Sequence, residues 1–249
     1  MSGCISIERI IGKLDEHLHK NDYASAERHL LYWLGETTAA NDGRTELLIR
    51  NELMGIYRKL GREADALREA NAAISKIDAL GVSDQVGAAT SFLNAATVYK
   101  AFGRAEEAIA LFERARAVYE SELEAGDERL GGLYNNMALA LVDLCRFDEA
   151  EALYRKAISV MEKVDGGAPE LAITYLNMAS AEEARVGIEE ADGKIQEYLD
   201  VAESLLDGHT ERDGNYAFVC EKCASVFDYY GRFVYAAEIC ERARRIYGR

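Results

Sequence analysis

Proline occurs once in the 249 residues, at Pro169, and aromatic residues make up only 9% of the chain. Runs of Val, Ile and Thr are few, so the composition of neither a β-sandwich nor an alternating α/β chain is present. Basic charge is also scarce: 29 Lys and Arg stand against 44 Asp and Glu, a formal net charge of -15. Such a field opposes phosphate backbones and anionic lipid, which excludes nucleic acid and membrane surfaces as expected partners. Long apolar runs are missing too. No stretch reaches the roughly 18 uncharged apolar residues of a membrane span, and the opening MSGCISIERIIGKLDEHLHK has no basic leader with an apolar run and small-residue cleavage site. The expectation is a soluble, cytoplasmic chain. Five cysteines, an odd number and scattered, argue for reduced thiols over a disulfide framework.

What the chain does have is Ala, Leu, Glu and Arg in abundance, which favour helix, and 49% hydrophobic residues, enough for a sizeable core. The expected fold class is all-α.

An internal repeat gives that expectation a form. The segments GIYRKLGREADALREANAAI, TVYKAFGRAEEAIALFERAR and LALVDLCRFDEAEALYRKAI align without a gap, placing Tyr57, Tyr99 and Leu141 at intervals of 42 residues. Ala66, Ala108 and Ala150 keep the same interval, as do Ala73, Ala115 and Ala157, and the turn slot reads Gly61, Gly103, Cys145. Weaker copies flank these, with Ala26 and Trp33 before them and Ala191 and Tyr198 after. A sixth copy, FDYYGRFVYAAEICERARRIY, puts Gly231 in the turn slot and Ala236 and Ala243 in the small-residue slots. Each copy holds two apolar stripes at helical spacing around a short turn, which reads as two antiparallel helices. Small residues let the two helices approach, and Leu111, Phe112, Leu153 and Tyr154 fill the space to neighbouring copies.

Tyr-x3-Gly, then Ala five residues on, then a bulky residue and another Ala, resembles the tetratricopeptide repeat over nearly the whole chain. The usual period is about 34 residues, and the longer interval here is similar to the long-period repeats of kinesin light chain and bacterial relatives. The resemblance implies a right-handed superhelical α-solenoid of about six repeats, near residues 5–40, 43–79, 83–124, 127–164, 168–206 and 212–249, in a single array. No copy has a closing Pro. Pro169 falls in the loop KVDGGAPE, and Asp192 and Gly193 fall inside the second helix of the fifth copy, which predicts a weakened helix because Gly costs about 1 kcal/mol relative to Ala.

The register also places Asn94, Asn136 and Asn177 in one column, with Glu52 and Lys222 at the same position in the second and sixth copies. The resemblance implies that this side of the first helix faces a concave groove, where Asn hydrogen-bonds the main chain of a bound peptide or tail. An amide offers donor and acceptor together and so reads an extended strand without demanding a sequence. Helices about 8 to 10 Å apart and about 3.3 Å per extended residue give about three ligand residues per repeat. The alternative, that these amides brace successive helices, stands beside it, and Asn135 is of the bracing or exposed kind. Further groove positions are Thr97, Lys100, Ser180, Glu183, Arg58 and Lys59. Lys100 with Arg58 resembles part of a carboxylate clamp whose full Lys and Asn pattern is absent, whereas a ligand with a basic portion suits the acidic total.

Catalytic and metal chemistry finds little purchase. Cys220 and Cys223 in CEKC have metal-like spacing but no second pair, and the register puts both on the packing side of the last copy's first helix. Cys145 stands at a turn and Cys240 at a bulky core slot. His17 and His19 lie on opposing helix faces. No Gly-rich phosphate loop follows a strand, and carboxylate pairs such as Glu182 and Glu183 are ordinary on solvated helices. The expectation is a protein with no cofactor, no metal and no enzymatic activity. Its partner is an unidentified protein or peptide held as an extended segment. Two other readings remain open: self-assembly as a homodimer through Tyr235, Ile239 and Ile246 on the last helix, which no further copy covers, and a peptide-sensing regulator.

Overall fold

The computed structural model describes residues 6–248; residues 1–5 and 249, which include Cys4 and the outer limits of the first and last expected repeats, lie outside the described residues. The described residues form helices joined by short turns, with no strand among them. The chain divides into two compact units, 1–122 and 123–249, and the division falls within the connection ELEAGDERLGG.

The first unit contains α1 (Ile7–His19), α2 (Tyr23–Ala39), α3 (Gly43–Lys59), α4 (Glu63–Leu80), α5 (Val86–Ala101) and α6 (Ala105–Glu122). The second contains α7 (Glu128–Asp143), α8 (Phe147–Met161), α9 (Ala168–Val186), α10 (Ile188–Gly208), α11 (Gly214–Tyr229) and α12 (Phe233–Tyr247). Odd- and even-numbered helices pair in sequence order, and within each unit the first helix of one pair also meets that of the next, α3 with α5 and α9 with α7 and α11.

The repeated sequence slots have distinct physical jobs. Gly61, Gly103 and Gly231 have φ of 67°, 74° and 83°, and Asn21 and Cys145 take the same left-handed position with φ of 53° and 57°. There the chain reverses with a bond back to the end of the preceding helix: the amide of Arg62 donates to Tyr57 O at 2.9 Å, Arg104 to Tyr99 O at 3.0 Å, Arg146 to Leu141 O at 2.9 Å and Arg232 to Phe227 O at 2.8 Å. This is the paired closure of a helix end by a left-handed residue, and it explains why the aromatic-or-Leu slot and the turn slot keep a fixed spacing. Arg62 and Arg104 then lie over the rings of Tyr57 and Tyr99, at 4.5 and 4.8 Å from the centroids. Starts are capped as well: Asp22, Asp42 and Asp213 accept from the amides of Ser25, Thr45 and Tyr216 at 3.0, 3.1 and 2.9 Å, satisfying donors that a helix leaves open.

The small-residue slots are buried throughout, with Ala66, Ala108, Ala73, Ala115 and Ala157 at 0% exposure. Phe112 and Tyr154 are buried beside them. One polar cluster interrupts the core of the first unit. Arg50 on α3 bonds Glu46 on its own helix at 2.8 Å and Glu69 on α4 at 2.5 Å, while Lys76 meets Glu46 at 2.7 Å and Arg68 meets Glu69 at 3.1 Å. Both carboxylates are nearly inaccessible and both are matched by cations, as burial of charge requires.

Three sequence expectations need correction. The second helix of the fifth pair is not interrupted: α10 runs unbroken through Asp192 and Gly193 for 21 residues, with the buried stripe Ala191, Ile195, Leu199, Ala202 and Leu206 along it. Tertiary burial outweighs the local propensity cost. Pro169 belongs to the first turn of α9, where its missing N–H is an unpaired donor in any case. The last helix does not present Tyr235, Ile239 and Ile246 as an uncovered face. Tyr235 and Ile239 are buried in the chain's own core and Ile246 packs on it. The Tyr235 ring meets Phe227 edge-on at 4.8 Å, and its hydroxyl donates to Asp207 Oδ1 at 3.1 Å. The helix turns this stripe toward α11, and its exposed apolar residues are Phe233 and Val234.

Candidate functional site

The first unit carries a groove of about 780 Å³ along the N-terminal halves of α3 and α5. Its size lies within the roughly 300–1,000 Å³ range of ligand sites. Leu47, Leu48 and Ala88 contribute apolar surface to its lining, and Arg44, Asn51, Glu52, Thr90, Ser91 and Asn94 supply polar groups. The capping turns position these helices: Asp42 holds the start of α3 through both its oxygens, accepting from the Thr45 amide at 3.1 Å and from its hydroxyl at 2.6 Å.

Across the groove, Asn51 Nδ2 donates to Ser91 Oγ at 2.9 Å, and that hydroxyl donates to Gly87 O at 3.2 Å. The carbonyl oxygen of Asn51 is enclosed and has no hydrogen-bond partner among the described residues. Asn94, half-buried on α5, lines the same groove. Glu52 is also half-buried, and burial followed by the neighbouring charge of Asp15 holds its carboxyl above the ordinary range. Thr90 is tied to the wall by Tyr119, the two hydroxyls lying 2.7 Å apart.

The other groove positions expected in this unit are elsewhere. Thr97 returns its hydroxyl to Leu93 O at 2.9 Å on its own helix. Lys100 is half-buried near the end of α5. Arg58 and Lys59 are exposed in the last turn of α3, with Lys59 over the Tyr23 ring at 5.1 Å. The groove follows the beginnings of α3 and α5, and these four residues sit near the helix ends, outside its lining.

In the second unit the amide column is engaged within the chain. Asn177 on α9 donates to Asn135 Oδ1 on α7 at 3.1 Å, and Asn136 donates to Gly132 O on its own helix at 2.8 Å. Ser180 donates to Leu176 O at 3.3 Å. Glu183 accepts from the hydroxyls of Tyr229 and Tyr230 at 2.7 and 2.6 Å, tying α9 to the end of α11. A smaller cavity of about 450 Å³ lies by Gly132, Asn135, Glu170 and Thr174. Glu170 there is pushed above the usual carboxylate range by burial, with Lys222 opposing the shift and Glu128 adding to it.

Sequence reasoning missed Asn51, Ser91 and Arg44. The signal for Asn51 was the position one residue before the amide column, which faces across to α5 forty residues on. Cys220 and Cys223 are buried at 0% and 1%, and burial pushes both thiols up, Cys223 to about 12. They pack as apolar side chains.

Paired helices closed by left-handed turns, with Ala at the close approaches, define the class of helix-turn-helix repeat proteins. The tetratricopeptide repeat model matches residues 46–121 and 129–204, and the chain belongs to the tetratricopeptide repeat family. Among curated proteins no relative matches. Solved structures with the same fold include BtubC (BKLC) from P. vanneervenii, 18% identical over 92% of this chain and 91% of that one, TM-score 0.59. The nearly identical TPR-like repeats of a Podosopora anserina protein assigned as a kinesin light chain are 19% identical over 82% of this chain and 95% of that one, TM-score 0.55. A Rap protein complexed with competence and sporulation factor is 15% identical over 96% of this chain and 63% of its own length, TM-score 0.60. The fold generally mediates protein–protein interaction, and its members are generally non-catalytic. No helix among the described residues is long and apolar enough to cross a membrane.

Proposed function

We propose that this protein is a non-catalytic, cytoplasmic interaction module that binds an extended peptide or partner tail in the groove between α3 and α5. The observation that carries the reading is the groove itself, with apolar Leu47, Leu48 and Ala88 and the amide of Asn94 in its lining. The Asn94 side chain makes no hydrogen bond to the described residues, which leaves its donor and acceptor for a ligand's main chain. In Asn136 and Asn177 the equivalent amides are spent within the chain, so the reading rests on Asn94 and not on the whole column. A Rap protein of the same fold is complexed with competence and sporulation factor, which supports ligand binding as a use of this fold.

The test is a peptide array probed with the native chain and with Asn94→Ala. Loss of one hydrogen-bonding amide, about 1–1.5 kcal/mol, is expected to weaken retained peptides about tenfold with no change in melting temperature. Unchanged affinity in the folded variant would remove Asn94 as a reader.

A further inference from the structure

We propose that the ligand of the α3–α5 groove carries a basic group, a lysine or arginine side chain, that docks on the carboxylate of Glu52. This rests on the reading of the groove as a peptide site and specifies what kind of peptide fits it.

The first unit pairs the buried carboxylates of its α3–α4 contact with cations. Glu46 is met by Arg50 and Lys76, and Glu69 by Arg50 and Arg68. Glu52, also drawn out of water, has neither ion pair nor hydrogen bond with any described residue, and the charge that bears on it is that of Asp15, of the same sign. Arg44 is no counter-ion for it, since eight residues of α3 separate them by about 12 Å along the helix axis. Asp42, the other acid in the groove, already has both oxygens committed to Thr45. The pairing is therefore complete where the carboxylates are internal to the α3–α4 contact and missing where one faces the groove.

A carboxylate taken out of water without a counter-charge is costly. A cation entering the groove removes that cost and gains a charge-assisted hydrogen bond, whereas a neutral side chain of the same length gains neither. Glu170 of the second unit is a useful contrast: it is similarly buried, but Lys222 already opposes its shift. Lys222 occupies in the sixth pair the register position that Glu52 occupies in the second.

An array of N-acetylated, C-amidated tetrapeptides, with each position in turn Lys, Arg, Gln or Glu in a mixed background, tests the proposal with the full chain. Native protein is expected to retain Lys and Arg members at least about tenfold over Gln members, the size of one charge-assisted bond. Glu52→Gln should still retain peptides but lose that preference, and Glu52→Asp should keep it. Retention without a basic preference, or a preference that survives Glu52→Gln, would overturn the proposal while leaving the groove as a peptide site. No retention of any member would overturn the groove reading and the proposal together.

Discussion

At the scale of single residues, Glu52 ties stability to binding. Its carboxyl is held above the ordinary range by burial first and Asp15 second, so the folded chain binds that proton more tightly than the unfolded one does. The stabilising contribution is present at pH below the unfolded glutamate value, about 4.3, and is lost as pH rises through the raised folded value. At neutral pH the ionised group weakens the fold. Glu52→Gln is therefore expected to raise the melting temperature at pH 7 and to leave it little changed at pH 4, a difference that thermal unfolding at the two values measures directly. A variant that is less stable at pH 7 would mean that Glu52 has a counter-charge.

Glu52 was legible in the sequence as a member of the amide column, but its lack of an ion pair with any described cation was not. Isolation depends on where Arg44, Arg50 and Lys76 direct their ends. The same limit explains Asn177: a repeating Asn marks a recurrent position on a helix face, and whether it meets a ligand or Asn135 is decided by the distance between two helices. The hydroxyls of Thr97 and Ser180 are engaged for a more local reason, since a hydroxyl in a helix can bond the carbonyl four residues back.

At the scale of helices and turns, the pattern was read almost entirely from spacing. A left-handed residue closes α1, α3, α5, α7 and α11, and Gly does so at three of them without a Cβ penalty. Cys145 takes that position with φ of 57°. The left-handed conformation costs a non-glycine residue about 1–2 kcal/mol, partly offset because Gly is freer in the unfolded chain. Cys145→Gly is expected to stabilise the second unit by about 0.5–1 kcal/mol, read as a higher denaturation midpoint at constant slope. A lower midpoint would show that the thiol, exposed as it is, makes a contribution the turn geometry does not capture. Helix α10 shows the reverse lesson: five buried aliphatic positions hold Asp192 and Gly193, which local preference disfavours, in an unbroken helix.

At the scale of the whole molecule, a 42-residue period implies the class of fold, because three independent columns in one register admit few architectures. What the period could not convey was inequality among the repeats. The amides of α7 and α9 are consumed internally, the apolar stripe of α12 is turned inward, and a groove of about 780 Å³ lies on α3 and α5. Small differences in which side chains fill the space between first helices decide this, and they leave no periodic trace.

The most direct test of the account is amide hydrogen exchange on the full chain, with and without a Lys-containing peptide retained on the array. The account predicts that added protection concentrates in residues 43–52 and 86–94, the stretches of α3 and α5 that border the groove. Protection confined to the second unit, or to the exposed Phe233 and Val234, would contradict it.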